Sequence, residues 1–197
     1  MPIQMSASVG EFFRETLEVA CKNQRIETTP EAKTYLAALL ADFVRPEANA
    51  ALNETLDRSL TLMLDEALQT PAAERFERLK SLGDGTLYVS GFFGDHLEAR
   101  GVDDEFVATI GGFAYRTAAG MMRGGASAIG DIYAELAGKF VAFVDVIAEV
   151  AETTSFSAKT SSGALRLYEK WLRTGSERVA RELVAAGITP SGRTGVA

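Results

Sequence analysis

A single histidine, His96, and a single cysteine, Cys21, limit the chemistry open to this chain. A zinc cluster built from Cys and His ligands needs more of both and is excluded. A two-metal carboxylate centre in a helical bundle takes paired Glu-x-x-His motifs, and neither copy is present. Asp95, His96 and Glu98 are close in sequence, but the spacing predicts a solvated polar turn. A thiol nucleophile would need Cys21 and His96 to meet in space. Cys21 falls near the end of an amphipathic helix, where a packed thiol is the ordinary outcome. A serine triad meets the same single-histidine bottleneck, and no nucleophile-elbow pattern is present. Acid pairs such as Asp103/Asp104 read as helix caps. No catalytic residue, metal ligand or cofactor site is assigned, and a helical enzyme working through carboxylates is the third-ranked reading.

The glycine-rich segments do not make a nucleotide site. Gly83-Asp84-Gly85 and Gly91-Phe92-Phe93-Gly94 lack the lysine-serine or lysine-threonine ending of a phosphate loop. Gly111-Gly112 lies inside a predicted helix, without the strand–turn–helix context of a dinucleotide fold. The segment from Gly111 to Arg123 carries the most chemistry. Arg116 and Arg123 are seven apart and share a helix face. Gly112, Ala119 and Gly120 thin the helix surface, and Tyr115 and Tyr133 supply aromatic rings. Such a set predicts a pocket between helices, with arginine on an anionic head group and aromatics along an apolar part. The candidate ligand-binding residues are therefore Arg116, Arg123, Tyr115, Tyr133 and Gly112. The competing readings of the same residues are close helix packing with surface arginines and an interface between subunits.

The elements that must position these residues are all helical. A first helix is predicted over about 8–25, with Val9, Phe12, Phe13, Thr16, Leu17 and Ala20 as its apolar stripe. Thr29 caps a second, with Pro30 at its first position and Glu31 in its first turn. Pro46 ends it. A third runs over about 47–68. Thr70-Pro71 opens a fourth, whose apolar spacing continues through Gly83 and Gly85 and predicts a helix, bent there, although 86–89 has some strand propensity. Phe92 and Phe93 read as core at its end, with one of them available as an interface anchor. Residues 94–101 read as a turn or short helical piece. Asp103 caps a fifth helix, and Gly124-Gly125 separates it from a long, broadly apolar helix over 127–153. Residues 153–163 form a loop, and a last helix spans about 164–186.

The prediction is an all-α, single-domain bundle of six or seven helices. The long 127–153 helix is its central element, the domain covers 1–189, and 190–197 form a flexible tail. An interior helical glycine costs about 1 kcal/mol against alanine, so the glycines concentrated between Gly83 and Gly138 imply close backbone approach, a kink or room for a ligand.

Composition agrees with a globular helical protein. The hydrophobic fraction is 47% and the charged fraction 24%, both ordinary. No apolar run is long enough to span a membrane, no signal peptide is evident at the N-terminus, and one cysteine points to a reducing cytoplasm. The net charge of −7 argues against nucleic acid as a partner, although residues 161–197 are locally basic. The leading expectation is a cytoplasmic interaction or regulatory protein that self-associates as a homodimer. The alternative is a binding domain for a small amphipathic or anionic ligand.

Overall fold

The computed structural model describes residues 3–43, 54–122, 128–157 and Arg181. The predicted last helix, the C-terminal tail and Arg123 lie outside the described residues. The chain divides into two compact units, Met1–Ala151 and Glu152–Ala197. In the second, residues 152–157 are helical, and Arg181 is helical and exposed. The first unit holds everything that follows.

Its helices are α1 (Ile3–Asn23), α2 (Pro30–Phe43), α3 (Leu60–Gln69), α4 (Ala72–Ala99), α5 (Asp104–Met122), α6 (Ala128–Gly138) and α7 (Phe140–Ser157), the last running past the unit boundary. Residues 54–57 are also helical. The described residues through 157 thus hold eight helical segments, against the six or seven predicted, because two predicted helices are divided. The predicted third helix breaks at Arg58-Ser59, where Ser59 is extended (φ −65°, ψ 118°). The predicted 127–153 helix divides at Lys139, where the i→i−4 bonds from Lys139 N and Phe143 N, both 2.9 Å, persist across the junction.

The central element is α4, not the 127–153 segment. Its residues 82–91 are buried on every side, and it packs against α2, α3 and α5. Leu87 and Tyr88 point into a cluster built with α1, α2, α6 and α7 around Leu17, Leu36, Phe143 and Ile147. Leu79, Leu82 and Val89 point into a second cluster with α3 and α5 around Val107, Ile110 and Ala114. A helix enclosed all round has no polar stripe to mark it in the sequence.

Enclosure also explains its glycines. A Cβ at Gly83 would lie 2.7 Å from the Tyr115 ring, and one at Gly91 would collide with the Cβ and Cγ2 of Ile147. The helix passes unbroken through Gly83-Asp84-Gly85. Its only non-helical residue is Phe93 (φ −124°, ψ 23°), so the bend falls two turns later than predicted. Residues 94–99, read as a turn or short piece, continue the helix, and the chain reverses at Gly101 with φ +72°.

The predicted caps at Thr29 and Asp103 form, whereas at Thr70-Pro71 the N-cap is Pro71, without a side-chain cap bond, and the Thr70 hydroxyl donates to Glu66 O at 2.8 Å. Ala32 N donates to Thr29 Oγ1 at 3.2 Å, and Glu105 N donates to Asp103 Oδ1 at 2.9 Å. The cap of α2 is also clamped to α6. Glu135 accepts hydrogen bonds from Thr28 Oγ1 (2.8 Å), Thr29 Oγ1 (2.5 Å), Thr29 N (3.1 Å) and Lys139 Nζ (2.9 Å). Burial works against its charge, but these donors prevail and bring the carboxyl from 4.5 down to about 2. A depressed carboxyl stabilises the fold fully above its unfolded pKa, and that contribution is lost as pH falls through its folded pKa. The window here therefore runs from about 4.5 down to about 2. Glu135→Gln is expected to cost about 2 kcal/mol at pH 7, the scale of hydrogen bonds to a charged group. It should also flatten the stability–pH curve in that window, as read by urea denaturation between pH 2.5 and 7. An unchanged curve would remove the clamp as a source of stability.

Candidate functional site

Two polar features stand out in the first unit, and they lie on different faces of α5. The first is buried. Asp84, only 8% exposed, sits between Gly83 and Gly85 on the enclosed stretch of α4. Its Oδ1 accepts hydrogen bonds from Tyr35 of α2 at 2.6 Å and Tyr115 of α5 at 2.7 Å. Its Oδ2 pairs with Lys80 Nζ, one turn back, at 2.6 Å. The Lys80 ammonium also lies 5.6 Å from the centre of the Tyr35 ring. Tyr133 of α6 packs edge-on against Tyr35 (5.4 Å between ring centres) and stacks on Tyr115 (6.0 Å).

Burial, then the Asp84 charge, drives the Tyr35 and Tyr115 hydroxyls well above the ordinary tyrosine range, so both remain donors. Burial pulls Lys80 down, but the Asp84 charge and hydrogen bond more than compensate, and it stays an ammonium. Each carboxylate oxygen is thus occupied by a donor that holds its proton. This arrangement ties α2, α4 and α5 together rather than moving protons.

The second feature is open. A groove of about 990 Å³ runs between α5 and the α6–α7 junction. Residues of α5 spaced by one turn form its first wall: Asp104, Ala108, Gly112 and Arg116. Ala137, Phe140, Val141 and Val144 form the second. A Cβ at Gly112 would make only ordinary contacts between them, with Ala137 O at 3.6 Å and Phe140 Cβ at 3.9 Å. Phe113 and Val141 are exposed at its rim, at 42% and 62%.

The helix register orders the groups along it. Gly130 faces Met122 and Ala119, while Gly112 faces Ala137 and Phe140, so α5 and the α6–α7 wall run antiparallel. Continuing this register sets Val144 and Asp145 opposite Asp104 and Glu105. Arg116 is at the other end. Lys139, midway, is held by Glu135 at 2.9 Å and the Glu27 carbonyl at 2.5 Å.

Of the predicted ligand-binding residues, the structure brings Arg116 and Gly112 to the groove. Tyr115 and Tyr133 are in the core around Asp84, at 0% and 4% exposure. Tyr115 is adjacent to Arg116 in sequence, and adjacent helical residues point about 100° apart. The groove's aromatic rings are instead Phe113 and Phe140. Sequence reasoning missed Asp84, Lys80, Tyr35 and Ser90. The Lys80–Asp84 spacing of four and the two glycines flanking Asp84 were visible signals. The contribution of Tyr35, from a distant helix, was not.

Cys21 is in the α1–α2 core, where burial, opposed by Lys33, pushes its thiol above the usual range. His96 is exposed in the last turn of α4. Among the described residues, no group of three or more His, Cys, Asp or Glu could hold a metal ion, and no helix is long and apolar enough to cross a membrane. Comparison with family models, with curated proteins and with solved structures returned no match.

Proposed function

We propose that this chain is a helical binding protein whose α5/α6–α7 groove takes a small amphipathic anion. The observation that carries this reading is Arg116. It lines the groove, is exposed, and has no hydrogen-bond or ion-pair partner among the described residues. A guanidinium at the end of an apolar trough is a receptor for carboxylate or phosphate. Phe113, Phe140, Val141 and Val144 would bury the apolar part of the ligand. Cys21, buried and free, supports a reducing compartment as the working environment.

Native mass spectrometry of the untagged protein, before and after denaturing extraction, tests the reading. A stoichiometric amphipathic adduct is expected. Arg116→Ala is expected to lose the adduct, or to weaken binding of dodecanoic acid about tenfold, the scale of one charge-assisted contact. Equal binding by wild type and Arg116→Ala would sink the assignment.

A second reading, homodimerisation, is favoured by the exposed Phe106, Phe113 and Val141 on and beside the same groove. In that case the spectra would show a dimer without added mass, and Val141→Glu would convert it to monomer.

A further inference from the structure

We infer that the groove selects a bipolar ligand, with a cationic amine at the Asp104/Glu105 end and an anionic group at Arg116. This inference rests on the amphipathic-ligand reading and extends it from one end of the groove to both.

The first observation is Ser90. It is only 9% exposed, it lines the groove, and its Oγ has no hydrogen-bond partner among the described residues. Buried hydroxyls are nearly always paired. Thr86, one turn earlier on α4, shows the usual solution, with its hydroxyl against Leu82 O at 2.7 Å and Gly83 O at 2.9 Å. Ser90 leaves its hydroxyl for something else.

Its place along the groove follows from register. Gly111 abuts Thr86, and Gly83 abuts Tyr115, so α4 and α5 run antiparallel. Ser90, one turn beyond Thr86, therefore lies below Val107 and Ala108, one turn in from Asp104. The unpaired hydroxyl belongs to the acidic end of the groove.

The second observation is charge. Asp104 and Glu105 line that end and are exposed. Neither side chain has an ion-pair partner among the described residues. Arg116 stands at the other end. At 1.5 Å per residue, the α5 wall separates the two ends by about 18 Å. Uncommitted acid, a buried hydroxyl beside it, an apolar middle and an uncommitted guanidinium match an extended molecule carrying opposite charges at its ends. An amine held there would donate to the two carboxylates and to Ser90 Oγ, and a carboxylate at the far end would accept from Arg116.

Three probes of one chain length separate the contributions: dodecanoic acid, dodecylamine and 12-aminododecanoic acid, each titrated calorimetrically into the full chain at pH 7. The amino acid is expected to bind at least about tenfold more tightly than either single-headed probe. The D104N/E105Q double variant should remove the advantage of the amino acid over dodecanoic acid, so that the two bind alike. Ser90→Ala should weaken binding of the amino acid several-fold and narrow the same advantage. Thermal melts of each variant check that the fold is intact, and Ser90→Ala removes an unpaired hydroxyl and should melt no lower than wild type.

If dodecanoic acid binds through Arg116 and the added amine brings nothing, the bipolar inference fails while the anion-binding reading stands. If none of the three probes binds, both fail.

Discussion

Asp84→Ala is expected to be among the most damaging single substitutions in the first unit, at about 3–5 kcal/mol, the range for removing one partner of a buried ion pair. Three donors converge on this carboxylate from α2, α4 and α5. Without it, the Lys80 ammonium keeps its charge in a half-buried position, and two phenols lose their acceptor. Tyr115, fully buried, has no route to water. In a domain of this size the loss corresponds to a fall in Tm of about 10 °C. Tyr115→Phe removes one donor of three and should cost only about 1 kcal/mol. The double variant should cost less than the sum of the singles, because the two residues share one hydrogen bond. Urea denaturation of the three variants decides the matter. An Asp84→Ala variant within about 1 kcal/mol of wild type would show that the network contributes no net stability.

Gly91→Ala is expected to destabilise the protein by about 3 kcal/mol, although alanine is the better helix former by about 1 kcal/mol. The added methyl would meet the Cβ and Cγ2 of Ile147, with the Ile147 backbone carbonyl carbon at 3.4 Å. A β-branched side chain cannot rotate its own Cβ away, so α4 and α7 would have to separate. Gly120→Ala on α5 is the control, since nothing among the described residues lies within 4 Å of a Cβ there. Its cost should vanish or reverse, leaving a stabilisation of up to about 1 kcal/mol from propensity. Thermal melts of both proteins read the contrast. Equal effects of either sign would mean that close approach at Gly91 is not what places a glycine there.

These glycines also show where reading the sequence stops. That glycine in a helical pattern signals close contact or space was legible. Which of the two applies at each position was not. Gly83 and Gly91 are pressed against Tyr115 and Ile147, Gly112 leaves room for ordinary contact with Ala137 and Phe140, and Gly94 and Gly120 meet nothing among the described residues. The difference lies in partners far away in the chain. The same holds for the central helix. The 127–153 segment has the broader apolar stripe, which is what makes it read as central. The enclosed stretch of α4 mixes Gly, Asp, Thr and Ser with Leu and Val. Its Asp84 carboxylate is satisfied by Tyr35 and Tyr115, which no local pattern connects to it.

By itself, the sequence determined the helical class, the starts of α2 and α5 at Thr29-Pro30 and Asp103, and the limits set by one histidine and one cysteine. Caps and periodicity are local, fixed by hydrogen bonds and apolar spacing within a few residues. It also singled out Arg116, seven residues from Arg123 on one helix face, and Gly112, a small residue that thins the helix surface. Only the tertiary structure decided that Tyr115 turns inward to Asp84 while its neighbour Arg116 turns to the groove. It alone put the Ser90 hydroxyl at the acidic end. Those placements follow from the antiparallel registers of α4, α5 and the α6–α7 wall, set by packing between residues distant in the chain.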